Sequence, residues 1–260
     1  MLNIGIIGCG AITEAIVRGL AEADRLKIRA LYDRHPQKTA YISGLLKDPP
    51  EIFDFEGMIK ACDLIIEAAS QGAVREFILP ALKAGKNAMI MSVGALADDE
   101  LLDEIKRISE EKHCKVYIPS GAIAGIDGLR AAAESKIEKV RITTRKPPQT
   151  LGVEGDEALK ERVLFEGSAR EAVKRFPANI NVSLTLSLAG IGPDLTEVVV
   201  IQDPMIDRNI HEVEIEGAFG RMKMRFENLP SPSNPKTSFL AALSAISAIK
   251  RITEPIEIGT

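Results

Sequence analysis

The first half of the chain alternates short apolar runs with segments of helical period. Asn3–Ile7 is apolar and β-branched and reads as a buried strand ending in the Gly8–Gly10 turn. Ile12, Ala15, Ile16, Gly19 and Leu20 then fall on one helical face, predicting an amphipathic helix over Ile12–Ala23. Lys27–Tyr32 is a second strand ending at Asp33, and Pro36 opens the next helix. Leu64–Ala69, Asn87–Met91 and Lys115–Ile118 are further strands. Between them lie two helices. One carries the stripe Val74, Phe77, Ile78, Ala81 and Leu82, with Pro80 expected to kink or split it. The other is capped by Asp98 and turns Leu101, Leu102, Ile105 and Ile108 to one face. Strands separated by helix-length crossovers must pair in parallel, with helices on both faces of the sheet.

After Pro119 the rhythm changes. Lys139–Arg145 is strand-like, and Lys146–Glu157, rich in Pro, Gly and charge, reads as irregular. Short helices are expected at Ser168–Arg175 and Val182–Leu188, then strands at Glu197–Gln202, His211–Glu216 and Arg221–Glu227. Strands joined by short turns point to a mixed or antiparallel sheet, hence a second, α+β unit. The tail Thr237–Lys250 is apolar on nearly every side, a helix that must be buried, and it is expected to return to the first unit. The expected division is 1–119 plus 237–260 against 120–236.

Composition narrows the classes. Hydrophobic residues make 45% and charged residues 27% of the 260, the balance of a globular chain with a core. Lys+Arg 33 against Asp+Glu 37 gives a net charge of −4, with no basic excess for nucleic-acid phosphates. Aromatics at 4% and no Trp leave little for a base-stacking surface. No run nears the roughly 20 apolar residues that span a bilayer, and the N-terminus lacks a signal-peptide pattern. Cys9, Cys62 and Cys114 are odd in number and lack CxxC spacing, so no disulfide framework or metal site is expected and a cytoplasmic location is.

The candidate chemistry begins at Gly8-Cys9-Gly10 between strand and helix. Glycines there permit a tight turn and close approach of a pyrophosphate to backbone N–H groups at a helix start. Thr13 stands where a third glycine would complete the motif and is expected to crowd helix–strand packing. Asp33 ends the second strand, where a carboxylate accepts from ribose hydroxyls. The expected cofactor contacts are Gly8, Gly10, Ala11, Ile12, Asp33 and Arg34, with Ala69 and Ser70 after a later strand. Cys9 reads as a packing residue. His35 and His113 read as surface histidines, whereas His211, in Asp207-Arg208-Asn209-Ile210-His211-Glu212, suits either an acid/base or a structural role. Asn179 and Asn181 precede an apolar helix and suit either capping or a cofactor amide.

Seven segments together resemble the L-aspartate dehydrogenase family, relatives of the homoserine dehydrogenase and dihydrodipicolinate reductase folds. They are GIIGCGAI (5–12), EAASQGAV (67–74), YIPSGAIAG (117–125), ITTRKPP (142–148), FEGSAREAVKRFPANINV (165–182), RNIHEVEIEGAFG (208–220) and NPKTSFLAALSAI (234–246). The resemblance implies an α/β fold: an N-terminal Rossmann-type doubly wound parallel sheet plus an α+β substrate and dimerisation domain with a mixed sheet. It also implies NAD(P)-dependent oxidative deamination of L-aspartate to iminoaspartate, which hydrolyses to oxaloacetate and ammonia and feeds NAD biosynthesis. Carried onto matching positions, it makes His211 the catalytic residue and Ala122 and Asn181 cofactor contacts.

That chemistry asks few groups of the protein, since the nicotinamide accepts the hydride and the chain supplies position and protons. Two substrate carboxylates call for cations. Arg145, Lys146, Arg208 and Lys236 are candidates, with Lys236 and Arg208 ranked first and Asn209 beside them as a further substrate contact. NAD and NADP are both expected as cofactors, and an open sheet edge makes a homodimer the expected assembly. Rival readings are a related reductase, which lacks the adjacent histidine pair expected for dihydrodipicolinate, and a non-catalytic nicotinamide-nucleotide sensor.

Overall fold

The computed structural model describes residues 1–176, 181–231, 234–256 and 258–259, with the side chains of 234–236 left out. Its elements run β1 (Leu2–Ile7), α1 (Ala11–Gly19), β2 (Leu26–Tyr32), α2 (Pro36–Ser43), α3 (Phe55–Ala61), β3 (Leu64–Glu67), α4 (Gln71–Ala73), a π-helical segment (Val74–Ile78), α5 (Leu79–Lys83), β4 (Asn87–Ile90), α6 (Asp99–Lys112) and β5 (Val116–Tyr117). There follow α7 (Ile126–Ala132), β6 (Ile137–Lys146), β7 (Arg162–Ser168), α8 (Ala169–Arg175), α9 (Asn181–Ala189), β8 (Glu197–Gln202), β9 (Asn209–Gly217), β10 (Gly220–Asn228), β11 (Pro230–Ser231), β12 (Asn234–Ser238) and α10 (Phe239–Arg251). The chain divides into two compact units, one of Met1–Pro119 with Ala242–Ile258 and one built on Ser120–Ala241.

The first unit is a parallel five-stranded sheet in the order β2-β1-β3-β4-β5. Its chain path reverses between β1 and β3, and ligands of such sheets bind at the carboxyl ends of the strands at that reversal. The core is Ile4, Ile6, Ile16, Val17, Leu31, Leu64, Ile66 and Met89, joined by Ala245 and Ile249 of α10. Gly19 lets α1 meet α10, because a Cβ there would collide with the Ile246 side chain. The second unit is a mixed sheet in the order β10-β9-β6-β8-β7, with β6 and β8 parallel and the other pairs antiparallel. One face of that sheet is buried: Val140, Ile142 and Thr144 on β6, Val198 and Val200 on β8, Val213 and Ile215 on β9.

Several elements depart from the sequence reading. α1 stops at Gly19 rather than Ala23, since Leu20 already closes onto Ile16 and Arg18. The helix around Pro80 does not break. Proline removes one donor from the i→i+4 ladder, and the turn before it widens to π spacing instead. The final helix begins at Phe239, because Thr237 and Ser238 belong to β12, which pairs with β11. Lys146, expected to start an irregular stretch, is the last residue of β6, held in the sheet by Asp203 N–H donating to its carbonyl at 2.9 Å. Helices α3 and α7 and strand β7 were not legible beforehand. Asp54 caps α3, but β7 alternates only weakly and is half exposed.

Candidate functional site

The carboxyl ends of β1, β2 and β3 build the candidate site of the first unit. Gly8 adopts φ +91°, and a Cβ on it would lie 2.7 Å from the Ala68 carbonyl oxygen and 2.7 Å from Ala69 Cβ. Only glycine fits so close a passage between strand ends. Gly10 starts α1 without a side-chain cap, so the first N–H groups of the helix, on Ala11 and Ile12, face forward for an anion. Thr13 does not crowd the packing. It is fully buried and its hydroxyl donates to the Gly8 carbonyl, bracing the turn that a third glycine would leave bare.

Asp33 follows β2 and is held by backbone donors, Cys9 N–H on one carboxylate oxygen and His35 N–H on the other, each at 2.8 Å. Each oxygen keeps a lone pair for a ribose hydroxyl. Arg34 is turned to Glu76, whose carboxylate it meets at 2.5 Å on the surface. The Cys9 thiol is buried and pushed up to about 11 by burial, the state of a packing residue. His35 and His113 are both exposed.

Glu67 was not among the sequence candidates. At the end of β3 it is fully buried, and its carboxylate accepts from Ala69 N–H at 2.8 Å, Ser70 N–H at 2.9 Å, Ser92 N–H at 3.0 Å and the Ser92 hydroxyl at 2.8 Å. Burial raises its pKa, and these donors oppose the shift. Glu67 thereby ties the Ala68–Ser70 loop to the end of β4. Ser70 also caps the short α4. A glycine cradle, an uncapped nine-residue helix and a braced carboxylate together fit a dinucleotide.

The second unit carries a polar cluster of its own on the buried face of the mixed sheet. Along β6 and β9 that face is apolar until the register reaches Thr144 opposite His211. There Thr144, Lys146, Asn209 and His211 stand together, 2%, 4%, 6% and 4% exposed. Thr144 Oγ1 and His211 Nδ1 share a hydrogen bond of 2.9 Å. In the tautomer whose Nδ1–H donates to the hydroxyl, Nε2 keeps its lone pair for chemistry. Burial first, and the Lys146 charge second, hold His211 down at about 3, far below the near-neutral value expected for an exposed imidazole. Burial also lowers Lys146 to about 8. At neutral pH the ring is therefore uncharged, a proton acceptor beside a cation. Asn209 Nδ2 reaches Ser238 Oγ at 3.4 Å, whereas its Oδ1 is buried without a hydrogen-bond partner among the described residues.

The other cations are differently placed. Arg208 is clamped by both oxygens of Asp207, at 2.6 and 3.0 Å, just before β9. Arg145 lies on the opposite face of β6 and pairs with Glu161 and Asp203. Strand alternation sends Lys146, not Arg145, to the His211 face. The Lys236 side chain and Asn179 lie outside the described residues. Ala122 is buried and its carbonyl accepts from Asn228 Nδ2 at 2.9 Å. Asn181 is the first residue of α9, its carbonyl accepting from the Thr185 hydroxyl at 3.0 Å.

The buried neutral histidine has a measurable consequence. Between pH 6.5 and about 3 the unfolded chain binds a proton at this ring that the folded chain refuses, so each unit of acidification removes about 1.4 kcal/mol of stability. Urea unfolding at pH 6.5 and 5 is expected to show the native protein losing about 2 kcal/mol more than His211→Gln. Parallel pH dependences would mean that the ring is protonated in the folded state.

Residues 8–119 match the family profile described as homoserine dehydrogenase, NAD binding domain, and residues 127–252 match aspartate dehydrogenase, C-terminal. Relatives include the L-aspartate dehydrogenases of Methanosarcina acetivorans, 50% identical, and Methanosarcina barkeri, 49% identical, each alignment covering 100% of both chains. The crystal structure of aspartate dehydrogenase from Thermotoga maritima is 30% identical, with TM-score 0.79 over 100% of both chains. A scyllo-inositol dehydrogenase from Lactobacillus casei, solved with NAD(H) and scyllo-inositol, shares the fold at 13% identity and TM-score 0.61, covering 100% of this chain and 91% of that one.

Proposed function

This chain belongs to the aspartate dehydrogenase family, and from that premise we propose that it oxidatively deaminates L-aspartate to iminoaspartate, which hydrolyses to oxaloacetate and ammonia. The observation that carries the reading is the neutral, buried His211 imidazole, oriented by Thr144 and flanked by Lys146 and Asn209. The nicotinamide supplies a hydride acceptor when bound. The chain supplies the rest. His211 Nε2 takes the proton that the substrate ammonium must lose before its Cα–H bond can break, and the same ring activates the water that adds to the imine carbon. Gly8, Gly10, Ala11 and Ile12 take the pyrophosphate, Asp33 the adenosine ribose, and Ala69, Ser70, Ala122 and Asn181 complete the cofactor contacts. Asn209, Arg208 and Lys236 are the substrate contacts this reading inherits from the motifs.

Absorbance at the reduced-nicotinamide band tests it. L-aspartate with NAD or NADP is expected to give reduced cofactor, and dihydrodipicolinate is expected not to be reduced. Turnover of dihydrodipicolinate alone would make the protein a reductase, and cofactor binding without any turnover would make it a sensor.

Activity is proposed with both cofactors, NAD being bound at least as well as NADP. Asp33 repels a 2′-phosphate and pairs with a ribose diol. Arg34 must leave Glu76 to reach that phosphate. Arg34→Ala is expected to damage NADP use more than NAD use, and Asp33→Ala the reverse, read as kcat/KM for each cofactor. Equal losses in both variants would mean that neither side chain reaches the 2′ position. The proposal extends to a cytoplasmic homodimer whose iminoaspartate passes to quinolinate synthesis in NAD biosynthesis. The family resemblance supports that role, and the open sheet of the second unit supports the assembly.

A further inference from the structure

Beside His211, the polar end of the buried sheet face holds two groups that the acid/base role leaves unused. Lys146 is a cation almost wholly removed from water, two residues along β6 from the Thr144 that orients the ring. A buried cation is costly and is kept where it meets an anion. Asn209 stands two residues from His211 on β9, on the same face, with a buried carbonyl oxygen that accepts nothing from the described residues. An unsatisfied buried acceptor is destabilising. A bound donor removes that cost.

We propose that Lys146 and Asn209 are the substrate-recognition pair of this site, Lys146 Nζ binding one carboxylate of the amino acid and Asn209 Oδ1 accepting a hydrogen bond from its nitrogen. The inference rests on the amino-acid dehydrogenase reading and moves the principal carboxylate contact from Arg208 and Lys236 to Lys146. The arrangement orders the reacting atoms. Asn209 and Lys146 hold the nitrogen and a carboxylate from two adjacent strands, and His211 lies on the same strand as Asn209, one alternation away. A carboxylate on Lys146 also offsets the positive charge that helps hold the imidazole at about 3. Substrate binding thus restores basicity to the ring as the ammonium proton arrives.

Steady-state kinetics and calorimetry with succinate test the pair, because succinate keeps both carboxylates and has no nitrogen. Lys146→Met is expected to raise KM for L-aspartate by about 10–100-fold and to weaken succinate binding to the NADH-saturated protein comparably. NADH affinity is expected to stay within about twofold, since cofactor contacts lie elsewhere. Lys146→Arg, which keeps the charge, is expected to retain most of the succinate binding. Asn209→Ala is expected to raise KM for L-aspartate and leave succinate binding unchanged. Unchanged KM in Lys146→Met, or equal loss of succinate in both alanine and methionine variants, overturns the proposal. If Lys146→Met does not fold, the wild-type protein still decides: succinate must bind at least about tenfold tighter than its neutral diamide, and equal binding overturns the proposal. Failure of the wild-type protein to reduce either cofactor with L-aspartate overturns the dehydrogenase reading instead, and the succinate measurements then stand on their own.

Discussion

His211→Ala is expected to lower kcat by about 10²–10⁴-fold while leaving the affinity for reduced cofactor nearly unchanged. The imidazole is the proton acceptor of the buried cluster at neutral pH, because burial keeps the ring uncharged there while Lys146, lowered to about 8, still carries its proton for the most part. Losing it removes the acceptor for the ammonium proton and the base for the attacking water together. The hydroxyl of Thr144 would be left without its partner, which costs about 1 kcal/mol of stability, so the variant should fold. Stopped-flow and steady-state rates with L-aspartate check the expectation, and near-native turnover by folded His211→Ala would remove His211 from the mechanism.

Glu67→Ala is expected to destabilise the fold by about 3–5 kcal/mol, because it strands the buried N–H groups of Ala69, Ser70 and Ser92 at once. The first unit then loses the tie between the end of β3 and the end of β4, and cofactor affinity should fall with it. Ser92→Ala, which leaves the backbone donors satisfied, is expected to cost only about 1 kcal/mol. Urea unfolding with matched slopes would read both values. A native midpoint for Glu67→Ala would mean that solvent reaches those N–H groups and that the loop needs no internal acceptor.

Much of the first unit was legible because its information is local. β-branched runs, intervening helical stripes and the Gly8–Gly10 turn each depend on residues a few positions apart, and parallel pairing follows once crossovers are required. Asp33 was placed for the same reason, at the end of a strand whose bounds the pattern reveals. Glu67 was missed because nothing in EAAS distinguishes a solvated carboxylate from one buried beneath three backbone donors. Pro80 misled because proline's effect depends on whether the preceding turn can widen, as Val74–Ile78 does.

By itself the sequence determined the fold class, the glycine turn after β1 and the family, and it offered His211 as the candidate acid/base. Each rests on a short-range pattern or on motifs recurring in order along the chain. Only the tertiary structure decided which cation stands beside that histidine. His211 and Thr144 are 67 residues apart, and their contact exists only through the antiparallel register of β6 and β9. One residue of slip would send Lys146 to solvent and bring Arg145 to the buried face. Register is set by burying Val140, Ile142, Val213 and Ile215 together, a cooperative property of the packed sheet that no local segment carries.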